Sequence, residues 1–241
     1  MLDTLLELDS RLLLFFNSFH TPFLDHFMML FTGRFIWVPM YAAILLIFFK
    51  KYKPLAAVLL VAGLVAAIAL ADQTCATFIR PYFQRLRPSN LDNPLSAFVN
   101  IVDGYRGGAY GFPSCHATNS FALAAYLSLV VRRRAFVVFI LLWATVNCYS
   151  RLYLGVHYPG DILVGGIIGA FYGSLCFYGV RYAGRRFLKA SITAHKGQIS
   201  IPSFGISSSG MSLTSTSILA SDVMIAIGAL SALLMIIAAI A

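Results

Sequence analysis

The chain has 241 residues, 59% of them hydrophobic and 11% charged, with a formal charge of +9 and a mean hydropathy of +0.81. Soluble domains carry about 45–50% apolar residues, so this composition excludes an ordinary water-soluble globule and predicts one all-α domain, a polytopic helical membrane protein with about six transmembrane helices. The positive charge follows the ends of the apolar runs, which excludes nucleic acid as the partner that explains it.

Residues 1–33 mix apolar and charged positions. Leu5, Leu6, Leu12, Leu13, Phe15 and Phe16 predict short amphipathic helices broken near Asn17–Pro22. They are too short and polar to cross a bilayer and are expected at its interface. Asp3, Glu7, Asp9 and Arg11 interrupt this stretch, so it does not read as a signal peptide. The first span covers Phe35–Phe49, reaches membrane length with a turn from the preceding Met-rich segment, and ends at Lys50, Lys51 and Lys53. The second runs from Pro54 to Phe78, with Asp72 near its far end as a polar helix end or a pocket residue.

Residues 79–115 form a polar connection holding Arg80, Arg85, Arg87 and Arg106. A connection of that length between spans is usually functional. A third span, His116–Val131, is closed by Arg132, Arg133 and Arg134, and a fourth covers Ala135–Tyr149. The fifth, Asp161–Val180, carries Gly165, Gly169 and Gly173 at the four-residue spacing that suits close helix contact. Residues 190–221, rich in Ser, Gly and Thr, read as a flexible cytoplasmic loop, and 222–241 as an additional transmembrane helix. Cys75, Cys115, Cys148 and Cys176 show no CxxC and no zinc spacing, and a Cys75–Cys115 disulfide stays open.

Lysine and arginine follow the first, third and fifth spans, which predicts a cytoplasmic face there. The connections after the second and fourth spans then share the outer face, and their arginines need another explanation.

Three clusters lie on that face. Arg80 and Arg87-Pro88 are seven residues apart, about two helical turns, so they share a face if the helix continues through a first turn at Pro81. Two guanidiniums on one face call for a bridging anion. Pro113-Ser114-Cys115-His116 precedes the third span, where free amides and a Ser hydroxyl make an anion site and a His can move a proton. Ser150-Arg151 is followed by His157 and, four residues on, Asp161. That Asp can hold one ring nitrogen protonated and leave the other free to attack. Taken singly, each cluster has an ordinary reading: a headgroup-binding patch, a helix cap, a loop between helices.

In this order, Arg-x6-Arg-Pro, Pro-Ser-x-His and Ser-Arg-x5-His-x3-Asp resemble the three-part motif of the type 2 phosphatidic acid phosphatase (PAP2) superfamily. The motifs span Arg80 to Asp161, and the resemblance assigns a phosphatase domain to residues 34–189. It implies His157 as nucleophile, Asp161 as its partner and His116 as general acid. It implies Arg80, Arg87, Arg151, Ser114 and the Cys115 amide as holders of the phosphoryl oxygens. Two positions depart from the family pattern: Arg80 stands where Lys is usual, and Cys115 where Gly is usual.

The resemblance implies a membrane phosphatase with no metal and no cofactor. Its partner is a lipid phosphate or diphosphate met at the outer face of a bacterial inner membrane, with undecaprenyl diphosphate first. Lipid A phosphate comes next, then phosphatidylglycerol phosphate and phosphatidic acid. A transporter is the alternative from a different class, but it would place its charges at the midplane on broken helices. The sequence leaves the oligomeric state open.

Overall fold

The computed structural model describes residues 1–33, 35–188, 198–207 and 210–240. Two short helices come first: α1 (Leu2–Phe16), and α2 (Pro22–Phe31), capped by the Thr21 side chain with Pro22 in its first turn. α3 (Val38–Lys51) leads by a tight turn into α4 (Pro54–Gln73). A π-helical stretch, Thr74–Ile79, joins α4 to the single turn α5 (Arg80–Phe83), so apolar helix runs from Pro54 to Phe83. After the long connection come α6 (Cys115–Val131), α7 (Arg134–Tyr153) and α8 (Pro159–Leu188). The last helix is α9 (Ala220–Ile240).

Among the described residues four helices are long and apolar enough to cross a membrane. The pair Pro22–Phe31 and Phe35–Lys51, bent by 69°, brings the number to five if it counts as one broken span, and α6 is a shorter apolar helix. Outward residues on α4, α7 and α8 such as Val58, Val138, Leu142, Leu163, Ile167 and Phe171 are at least half exposed, the pattern of a lipid-facing surface. α9 contributes Met224 and Met235 to the same core as α3, α4, α6 and α7, and Asp222 at its start pairs with Arg133. It is thus a packed member of the bundle.

Residues 198–207 (β1) and 210–219 (β2) pair antiparallel, with Ile199 opposite Ile218 and Phe204 opposite Leu213. This differs from the single flexible loop expected over 190–221. Ile199, Ile201 and Ile206 in β1 and Thr214, Thr216 and Ile218 in β2 suit extended backbone, and the Ser and Gly content masks them. Residues 189–197 and 208–209, among them Lys189 and Lys196 that follow the fifth span, lie outside the described residues.

The contact that places the site is between α6 and α8. A Cβ at Gly165 would lie 2.6 Å from the Ser114 carbonyl oxygen, at Gly169 2.1 Å from that of Thr118, and at Gly173 2.4 Å from that of Ala122. The three glycines therefore let α8 rest directly on the α6 backbone. A backbone bond from Ser114 N–H to Asp161 O, 3.0 Å, ties the two helix N-termini together.

The same geometry gives a stability test. Gly169→Ala forces a methyl into backbone and should lower stability by about 1–3 kcal/mol. Gly179→Ala, on the same helix with open space around its Cα, should be neutral or slightly stabilising. Thermal unfolding in detergent compares them, and equal midpoints for the two variants would contradict the close contact.

Candidate active site

His157 lies in the turn between α7 and α8, a turn that uses Gly155 at φ +67°. The imidazole is fully buried, with Nδ1 3.3 Å from Asp161 Oδ2 and Nε2 2.8 Å from Arg87 Nη1. A guanidinium only donates, so Nε2 must accept and the ring proton sits on Nδ1, facing Asp161. The lone pair of Nε2 is thereby directed towards Arg87. Burial pushes the His157 pKa well below its ordinary value, and the charges of Arg87, Arg151, His116 and Arg80 add to this. The ring is therefore neutral near pH 7.

Asp161 is held as tightly. Its Oδ2 accepts from the Tyr158 amide at 3.0 Å, and its Oδ1 accepts from Arg85 Nη1 at 3.0 Å. The carboxylate keeps one orientation against the imidazole.

The three guanidiniums expected from the motifs do converge, though not as the sequence suggests. Gln84 takes a left-handed conformation at φ +46° and ends α5, so Arg80 and Arg87 do not share a helix face. Arg87 instead lies on an extended stretch bridged at Leu86 to Tyr110. From there it reaches back to His157 and to the Val156 carbonyl, 3.1 Å. Arg80 Nη2 donates to the Pro113 carbonyl at 3.0 Å and to Cys115 Sγ at 2.9 Å. The two positions that depart from the family pattern are therefore in contact with each other. Arg151 donates to Thr32 Oγ1 at 2.8 Å and to the Tyr105 hydroxyl at 3.1 Å. Burial, then Arg151 and Arg80, push the Arg87 pKa down to about 10. Arg80 Nε and Arg151 Nε are buried with no partner among the described residues.

Ser114 caps α6, its Oγ accepting from the Ala117 amide at 3.4 Å. Cys115 and His116 follow in the first turn, where helix amides have no partner within the helix. Cys75, on the π-helical stretch, and Cys115 are free thiols with their sulfurs 2.8 Å apart. Unpartnered donors, a surplus of cations and a helix N-terminus describe a site for a phosphate-sized anion. Among the described residues no group of three or more His, Cys, Asp and Glu side chains could hold a metal ion.

Several residues here carry no motif. Arg85 bridges Asp161 and Asp9 Oδ2, the latter at 2.8 Å, and its guanidinium lies 3.7 Å from the Tyr158 ring centroid. Asp9 also accepts from the Gly160 amide at 2.7 Å. The interfacial helix α1 thus turns Leu2, Leu5, Leu12 and Phe15 outward and sets its Asp9 into the site. Gly111 is a second case: a Cβ there would meet Arg87 Cγ at 3.0 Å, Asp161 Oδ2 at 3.2 Å and His157 Nδ1 at 3.4 Å.

Beside the site a cavity of about 650 Å³ opens between α3, α4, α6 and α7. Its wall is largely apolar, with Tyr41, Ile44, Leu64, Ile68, Leu123 and Trp143, while Asp72, His116 and Asn119 line it as well. Leu45 and Val65, 41% and 60% exposed, belong to the same lining, so the cavity reaches the lipid-facing surface.

Asp9→Ala should release Arg85 and the Gly160 amide together, lowering kcat by about tenfold or more with KM nearly unchanged. Asp9→Glu should recover part of it. Steady-state kinetics on the three proteins checks this, and wild-type kcat in Asp9→Ala would contradict the role of the bridge.

A family model described as the PAP2 superfamily matches residues 55–185. The chain is 52% identical over 178 residues to a protein named lipid A 4'-phosphatase from Bacteroides thetaiotaomicron, covering 74% of this chain and 79% of that one. It is 34% identical over 198 residues to a lipid A 4'-phosphatase from Porphyromonas gingivalis, covering 82% and 84%. In fold it is similar to the crystal structure of Aquifex aeolicus LpxE, with a TM-score of 0.53, 23% identity, and coverage of 70% and 93%. The matched stretch runs from α4 to α8 and carries all three motifs, and the chain belongs to the PAP2 superfamily, among its membrane-embedded phosphatases.

Proposed function

We propose that the protein removes a phosphate monoester from a saccharide lipid of the lipid A type, through a phosphohistidine on His157. The observation that carries the chemistry is the orientation of His157, with its proton towards Asp161 and its lone pair towards Arg87. In the first step Nε2 attacks phosphorus, and the bond from phosphorus to the ester oxygen breaks. The departing oxygen takes the proton of His116. Asp161 holds the imidazole and balances the charge it acquires. Water then attacks the phosphohistidine, giving its proton to His116 and releasing inorganic phosphate with His157 restored.

Arg80, Arg87, Arg151, the Ser114 hydroxyl and the Cys115 amide hold the phosphoryl oxygens. Phosphoryl transfer spreads charge over these oxygens, so donors fixed in advance are the main catalytic resource. Three guanidiniums supply the countercharge that a metal ion supplies elsewhere, and activity persists without a divalent cation.

The motifs do not separate the candidate lipids, and undecaprenyl diphosphate stands first on the outer-face placement alone. The substrate choice moves to lipid A because both relatives described above carry that name and cover most of their own length. The cavity supports a lipid carrier, since its apolar wall opens between α3 and α4 where an acyl chain can enter from the bilayer. The site lies at the ends of the helices opposite Lys50–Lys53 and Arg132–Arg134, which supports an inner-membrane protein with its site on the outer face.

Phosphate release in detergent, with EDTA present, tests the reading on a phosphorylated glucosamine lipid, undecaprenyl diphosphate and phosphatidic acid. The glucosamine lipid should turn over fastest, and loss of all activity in EDTA with recovery in magnesium would overturn the metal-free route. The pH profile offers a second check. His157 attacks when neutral, and its pKa lies well below 6.5, so the acid limb of kcat/KM assigned to it should lie below that value. Arg87→Gln removes one cause of the depression and should move this limb to higher pH, while lowering kcat by about 100-fold or more. An acid limb that stays in place would contradict the coupling.

A further inference from the structure

The two sides of the phosphoryl site are distinguishable. His157 marks the side of attack. His116 marks the side where the leaving oxygen takes up its proton, and the cavity is lined by His116 and not by His157. The cavity therefore holds what the ester oxygen carries away.

α6 presents His116, Asn119, Ser120 and Leu123 to this cavity, the spacing of one helical face. α4 presents Leu64, Ile68 and Asp72. At about 1.5 Å per residue, Asp72 and Asn119 sit at the end near His116 while Leu64 and Leu123 lie deeper. The polar residues are thus nearest the scissile bond and the apolar ones are farthest from it.

Asn119 Nδ2 donates to Asp72 Oδ1 at 2.9 Å. A carboxylate only accepts, so this bond fixes the amide: Nδ2 faces Asp72, and Oδ1 is left buried with no partner among the described residues. The pair presents acceptors, namely the remaining lone pairs of Asp72 and the Asn119 carbonyl. Acceptors beside an apolar cavity within a membrane are costly until donors meet them. The group that fills the cavity can bring those donors.

We propose that Asp72 and Asn119 form a subsite for the carrier of the scissile phosphate. It accepts an uncharged carrier with hydroxyl or amide N–H donors next to the ester oxygen, and it disfavours a carrier whose leaving group is itself a phosphate. A phosphorylated N-acyl glucosamine has those donors and leaves as a neutral hydroxyl once His116 has protonated it. A polyprenyl diphosphate offers no such donors, and its leaving group is an anion set beside the Asp72 carboxylate. The inference rests on the reading of the site as a lipid phosphatase and adds the means by which it selects among lipids.

The test compares wild type, Asp72→Asn and Asn119→Ala on a phosphorylated N-acyl glucosamine lipid and on undecaprenyl diphosphate, in the same mixed micelles. Asp72→Asn should lower kcat/KM on the glucosamine lipid about tenfold or more, mainly through KM, and raise it on the diphosphate. Asn119→Ala should lower it on the glucosamine lipid alone. Protection from thermal unfolding by vanadate verifies that the phosphate cradle is intact in each variant, and if one fails to fold the other decides. Equal losses on both substrates would mean that the pair only joins α4 to α6, and the proposal would be overturned while the phosphatase reading stood. A wild-type protein inert towards both lipids would overturn that reading and the proposal with it.

Discussion

The backbone contact between α6 and α8 is the constraint on which the site depends. Gly165, Gly169 and Gly173 remove the side chains that would hold the two helices apart. Their N-termini then lie side by side, joined by the bond from Ser114 N–H to Asp161 O. One N-terminus brings Ser114, Cys115 and His116, and the other brings Asp161 and the turn that holds His157. A separation of a few ångströms between these helices would pull His116 away from His157, and misplacement of about 1 Å can cost a hundredfold in the rate of a catalysed step.

Around this pair the charge is unbalanced by design of the sequence. Arg80, Arg87 and Arg151 face a site whose carboxylate, Asp161, is already engaged by Arg85 and the Tyr158 amide. Each cation is held by carbonyls, a thiol or hydroxyls, which leave its charge in place. A phosphate placed among them would relieve this repulsion. Burial first, and the charges of Arg87, Arg151 and Arg80 after it, keep His157 neutral. Beside the arginines and lined by His116, the surroundings change to a largely apolar cavity.

Much of this was legible in the sequence, and the reason is locality. His157 and Asp161 are four residues apart across a helix start, and Ser114 and His116 flank another, so spacing alone predicts their geometry. The GxxxG repeats predict the helix contact. The convergence of Arg80 and Arg87 was legible but their path was not, because the left-handed turn at Gln84 breaks the helix that their spacing assumed. Arg85, Asp9 and Gly111 were not legible as site residues. Arg85 meets Asp161 76 residues away, and Asp9 meets Gly160 across 151, and no periodicity announces such contacts. The hairpin at 198–219 was hidden by composition. The preferred lipid was hidden for a different reason: the motifs touch only the phosphoryl group, which the candidate substrates share.

The central claim is that Nε2 of His157 carries the phosphoryl group between lipid and water. Rapid acid-free quenching of a single turnover with a phosphorus-labelled lipid, followed by peptide mass spectrometry, tests it most directly. The account predicts an acid-labile, base-stable phosphohistidine on His157, attached at Nε2 and absent in His157→Ala. A turnover that proceeds at full rate with no phosphoenzyme, or with the label on any other side chain, would contradict it.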